Sequence, residues 1–262
     1  MEKLMIFNCI LITFISIGLY FCKKYFKSDR SKNIVLFIAA LSTILCHYSS
    51  IAYHYFTSGS ATQFLRHNPN LLLPIYPCNV VMWGCLIYGL MRNKKTKSAS
   101  FLADYLFWFG IFSTLVGMFA NIDFINNPTL KNFDVTKGIV AHATLLFNVL
   151  LIVVFGNIKI DLIKNMTHIV IAVVMMYLIG MYCNKLFEIL VSAEMAYEVN
   201  SMYIIHSPFP AVSFLKYPVI AMIALILYFG IFALCEIFAY EKGNRWFNRI
   251  EIFKKERNDK KC

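Results

Sequence analysis

Seven apolar runs follow one another along this chain, separated by short charged connections, and each is close to the about 20 residues that a helix needs to cross bilayer hydrocarbon. That arrangement leaves little choice of fold. In lipid every backbone N–H and C=O must be bonded within the protein, so spans of this length have to be helices. The expected spans lie near residues 4–22, 34–56, 71–91, 101–120, 138–156, 166–188 and 215–240. Hydrophobic residues make up 59% of the chain, against roughly 45–50% in a soluble domain. The expected fold class is an all-α polytopic membrane protein. A bundle of seven transmembrane helices fills residues 1–240 and a basic tail follows over 241–262. The first run lacks a small-residue cleavage site and reads as a helix, not a signal peptide.

Lysine and arginine set the expected orientation. The first connection carries Lys23, Lys24, Lys27, Arg30 and Lys32, the third Arg92, Lys94, Lys95 and Lys97, the fifth Lys159 and Lys164, and the tail eight more basic residues. The second carries only Arg66, the fourth Lys131 and Lys137, and the sixth none. By the positive-inside bias, the N-terminus is outside and the C-terminus cytoplasmic, in the cell membrane. The net charge of +11 is then explained by topology, and no nucleic-acid partner is expected. Arg245, Trp246, Arg249, Phe253, Lys254 and Lys255 mix bases with aromatics in the tail, a composition suited to anionic headgroups.

Polar residues within the spans gather toward one leaflet. His47 and His54 lie in the outer half of the second run, Cys78 and Asn79 near the outer end of the third, and Asn121 at that of the fourth. His142 is near the outer end of the fifth, and Asn184, Lys185 and Glu188 end the sixth. Intramembrane polar groups usually face a bundle interior or a wet cavity. Their convergence points to an outward-opening pocket.

Within that pocket the stretch Leu73-Pro74-Ile75-Tyr76-Pro77-Cys78-Asn79 stands out. Proline is favoured at the first helical position, where its missing N–H is not needed. If Pro77 starts the regular part of the third helix, Cys78 falls in the first turn, where free N–H groups and the helix dipole favour a thiolate or an oxyanion. The other reading is a kinked helix with Cys78 as a packing residue. Counting from the run boundaries, Cys78 and His142 lie at nearly the same depth, about 7–10 Å in. A histidine is the usual base for a thiol nucleophile, and the chemistry expected at the level of lipid esters is acyl transfer. The eight cysteines show no C-x-x-C spacing, so neither a disulfide framework nor a thiolate metal site is expected. A zinc site from His54, His142 and Glu188 is conceivable, but no spacing demands one. No cofactor is called for.

The motif around Pro77-Cys78-Asn79, His142 early in the fifth run, Asn184 late in the sixth, and Asn200-Ser201-Met202-Tyr203 before the seventh together resemble the YwaF-like integral membrane protein family. The eukaryotic branch of that family includes a seven-helix acyltransferase that makes polyunsaturated ether phospholipids with a cysteine and a histidine. The resemblance implies that Cys78 accepts the acyl group, that His142 is its base, and that membrane phospholipids are the partners. Tyr76, Asn79, His47, His54, Asn121, Asn184, Asn200 and Tyr203 would bind substrate or support the pair. Tyr76 stands where the bacterial branch has histidine, and Ala143 follows His142 where glycine is usual.

Two other classes share this topology. A transporter or channel would use the same outward vestibule without catalysis. A retinal protein would need a mid-helix lysine in the last run, whereas Lys216 lies at its outer boundary.

Overall fold

The computed structural model describes residues 2–60, 64–65, 68–119, 129–208, 212–241 and 245–248, with side chains from residue 5. The described residues are helical throughout their regular parts: α1 (Glu2–Tyr25), α2 (Asp29–Ser58), α3 (Pro77–Leu90), α4 (Lys97–Phe119), α5 (Phe133–Val154), α6 (Leu162–Leu190), the short α7 (Ala193–Val199) and α8 (Tyr217–Ala239). Single 3₁₀ turns occur at Pro69–Leu71 and Ser201–Tyr203. Six of the helices are long and apolar enough to cross a membrane.

The remaining apolar run departs from the expected 71–91 span. Its helix, α3, has 14 residues, or about 21 Å at 1.5 Å per residue, short of the roughly 30 Å hydrocarbon thickness. Tyr76 is extended, with φ −121° and ψ 155°, and Pro77 opens the helix. The cause is local: a proline biases the residue before it away from helical geometry, and Pro74 and Pro77 do so twice within four residues. The kinked continuous helix is thereby replaced by a helix that starts at Pro77. Non-helical backbone at membrane depth is tolerated where protein buries it, and Leu71 and Ile75 are buried.

Helix ends follow their capping residues. Ser28 accepts from Ser31 N–H at the start of α2, Asn132 from Asp134 and Val135 N–H at the start of α5, and Asp161 from Lys164 N–H at the start of α6, each side-chain oxygen satisfying donors that a helix start leaves unpaired. Gly59 ends α2 in the left-handed region, where a residue without Cβ carries no steric penalty. Lys137, expected in a connection, lies in α5.

α5 is central, packing on α1, α2 and α4, while α2 and α4 also hold α3. A Cβ built on Gly110 of α4 would lie 2.5 Å from Val149 of α5 and 3.2 Å from Val81 of α3. Small residues at such crossings let backbones approach, which replaces the hydrophobic driving force that lipid removes. α6 and α8 pack on the other side of α4 through Trp108, Ile169, Tyr228 and Phe232. Among the described residues all seven cysteines are free.

Candidate functional site

Cys78 is the second residue of α3 and is half-buried against the main core. The backbone N–H groups of Cys78 and Asn79 lie close to its sulfur; that of Asn79 donates to Tyr76 O at 3.0 Å, and that of Cys78 is the donor that the helix start leaves without an intrahelical partner. Asn79 is buried, and its Oδ1 accepts from the Tyr76 N–H at 3.2 Å, which fixes the turn leading into the helix. Ile75, one residue before Tyr76, offers its carbonyl to Ser201 Oγ at 3.1 Å and to Met202 N–H at 2.9 Å. Asn184 of α6 completes this brace: its Oδ1 accepts from Ser201 N–H at 2.7 Å and its Nδ2 donates to Ser201 O at 3.3 Å. Asn200 accepts from Ile205 and His206 N–H and donates to His206 O at 2.8 Å. Tyr203 brings its ring to 5.9 Å from that of Tyr76. Cys78, Tyr76, Asn79, Asn184, Asn200 and Tyr203 therefore form one assembly.

His142 belongs to a neighbouring one. Its Nδ1 lies 2.8 Å from Gly138 O, and only a protonated Nδ1 can donate to a carbonyl. The tautomer that follows leaves the lone pair on Nε2, the arrangement a base needs. The ring fills the place of a side chain on Gly117: a Cβ there would collide with the Cδ2 and Nε2 atoms of the imidazole. Lys137 Nζ donates to His47 O at 3.4 Å, and its charge reaches both His47 and His142.

No hydrogen bond joins Cys78 to His142 among the described residues, and the helix register explains why. α3 and α5 both run antiparallel to α4, and the Val81, Gly110 and Val149 contact gives a common level. From it Cys78 is three residues back along α3, about 4.5 Å, and His142 seven residues back along α5, about 10.5 Å. The imidazole sits about one helical turn farther from that crossing than the thiol, where sequence counting had placed them level.

The other expected residues fall as follows. His54 Nε2 is 2.8 Å from Asp134 Oδ2, and Ser50 Oγ donates to Asp134 Oδ1 at 2.8 Å. Glu188 pairs with Lys185 at 2.7 Å. His54, His142 and Glu188 thus have separate partners, and the described residues contain no cluster of three metal-ligating side chains. His47 Nε2 is 3.4 Å from Asn70 O. Asn121 lies outside the described residues.

Sequence reading missed two acids. Asp134 was legible as an acid in the first turn of a helix, where the dipole favours it. Asp104 carried no such signal. It is 1% exposed and accepts from His168 Nδ1 at 2.6 Å and Lys164 Nζ at 3.2 Å. This carboxylate ties α4 to α6 near the end of the bundle opposite to His142.

Six long apolar helices and the shorter α3, with Cys78 at its braced start, define a multi-pass helical membrane protein. Residues 1–236 match the TMEM164 family, and the chain belongs to it. No curated protein and no solved structure matches the chain. The relation to YwaF-like proteins rests on the motif resemblance alone.

Proposed function

We propose that this TMEM164-family chain is a membrane-embedded phospholipid acyltransferase in which Cys78 carries the acyl group and His142 is the base. The observation that carries the reading is the Cys78 sulfur at the first turn of α3, beside its own backbone N–H, which has no intrahelical partner. Such a position, at the positive end of the helix dipole, supplies a donor for an acyl oxyanion. In the first half-reaction the thiolate adds to an ester carbonyl, a C–S bond forms, and the C–O bond breaks as the leaving alkoxide takes the proton shed by the thiol. In the second, His142 Nε2 removes the proton of an incoming hydroxyl, the oxygen attacks the thioester, the C–S bond breaks, and the departing sulfur takes the proton from His142, which restores the thiol and the neutral imidazole. The one-turn offset between thiol and imidazole leaves room for that hydroxyl, so His142 acts on the acceptor and reaches the thiol through it.

The test is trapping of the intermediate. The purified chain incubated with vesicles of acyl-labelled diacyl phospholipid is expected to hold label on Cys78 in a form released by neutral hydroxylamine. Cys78→Ala should lose it entirely. Wild-type protein that turns over no lipid and forms no thioester sinks the reading and returns attention to a solute-binding vestibule.

The same reading includes topology. α3 counts as the seventh span, with its N-terminal turn below the outer surface, the N-terminus outside and the C-terminal segment on anionic headgroups of the cell membrane. Cysteines introduced at Ser58 and Lys131 are expected to react with a membrane-impermeant maleimide added to intact cells, whereas those at Arg30 and Asn93 react only after permeabilisation. The opposite pattern reverses the orientation.

A further inference from the structure

Three of the four residues in Asn200–Tyr203 have positive φ: 44° at Asn200, 54° at Met202 and 56° at Tyr203. None is glycine. Asparagine tolerates this region because its short polar side chain bonds locally, as Asn200 does here, but methionine and tyrosine have no such recourse. Backbone held in sparsely populated regions persists where the surrounding fold over-determines it, and it clusters at functional sites.

The restraint is visible on both sides. Asn184 grips Ser201 through both amide atoms, and Ser201 and Met202 are tied to Ile75 O. Met202 is buried against Gly180 of α6, where a Cβ would lie 2.8 Å from it. The product of these restraints is the placement of one side chain. Tyr203 is turned beside Tyr76 at the start of α3, within electrostatic range of Cys78. Its hydroxyl makes no hydrogen bond to any described residue. A phenol is protonated at neutral pH, so a donor with no partner among the described residues lies within electrostatic range of the thiol.

We propose that Tyr203 is a catalytic hydrogen-bond donor at Cys78, its hydroxyl joining the Cys78 N–H at the first turn of α3 to hold the oxyanion formed on an acyl carbonyl. This rests on the reading of Cys78 as the acyl acceptor. When sulfur adds to the carbonyl carbon, the π electrons move to oxygen. Tyr203 donates to that oxygen without transferring its proton, and the electrons return as the alkoxide leaves.

A pair of reagents separates this role from packing. A short-chain p-nitrophenyl ester acylates Cys78 through an oxyanion, whereas iodoacetamide alkylates it by displacement at a saturated carbon with none. In the full-length protein in nanodiscs, Tyr203→Phe keeps the ring and is expected to slow Cys78 acylation by about 10²–10³-fold, the usual loss for one oxyanion donor. Alkylation should stay within about twofold of wild type. Equal acylation in both proteins overturns the role of Tyr203 and leaves that of Cys78 standing. A parallel fall in acylation and alkylation makes the residue structural and also overturns it. Wild-type Cys78 that is alkylated yet never acylated removes the acyl reading itself, and this inference with it.

Discussion

Gly117→Ala is expected to destabilise the protein by about 1–3 kcal/mol, the usual cost of forcing an extra carbon into a packed interior, and to lower acyl turnover by about 10²–10⁴-fold, the range for losing a general base. Both effects come from one contact. The new Cβ would land on the imidazole of His142, and the ring cannot move aside while its Nδ1–H stays on Gly138 O. The collision therefore either breaks that bond, and with it the tautomer that frees Nε2, or pushes α4 from α5. His142→Ala removes the ring and so the clash. In that background the change at Gly117 should become neutral or stabilise by up to about 1 kcal/mol, the helix-propensity gain of alanine over glycine. Such a reversal of sign is the interaction energy that a double-mutant cycle isolates. Unfolding midpoints of the four proteins in denaturing micelles measure it. Additive effects would show that Gly117 and His142 do not touch.

The second large effect is expected at Asp104. Replacing both Lys164 and His168 by leucine leaves a carboxylate 1% exposed with neither partner, and breaking a buried pair in this way costs about 3–5 kcal/mol. Asp104→Leu, which removes the charge itself, should cost clearly less. Lys164 is 36% exposed and can extend its ammonium to the surface once the carboxylate is gone. The order of the two losses is the informative quantity. If Asp104→Leu is as damaging as the double variant, the carboxylate has a role beyond pairing. The unfolding midpoint measures stability, and the hydroxylamine-labile thioester on Cys78 tells whether loosening α6 reaches the opposite end of the bundle, since α6 also carries Asn184.

The apolar runs placed the six long helices, because a span in lipid must satisfy its backbone locally and its length is set by the bilayer; the third run holds only the shorter α3. The position of Cys78 in a first turn was legible for a similar reason. Pro77 fixes its own φ and restricts Tyr76, so the start of α3 was written into adjacent residues. The relation between Cys78 and His142 was not. Counting from run boundaries ignores where an individual helix begins to pack, and the imidazole lies about one turn farther than the thiol from the Val81, Gly110 and Val149 crossing. Asp104 escaped notice because a lone acid in an apolar run gives no hint of which distant cation answers it.

Sequence alone determined what each segment had to be: helices from unbroken apolar length, a helix start from Pro77, and a sidedness expected from lysine and arginine. Only the tertiary structure decided what each side chain faces. His142 against Gly117, Asp104 between Lys164 and His168, and Tyr203 in a strained turn braced by Asn184 all join residues far apart in the chain. Local patterns carry backbone geometry, which depends on near neighbours, whereas packing between helices depends on register and close approach that no short window of residues encodes.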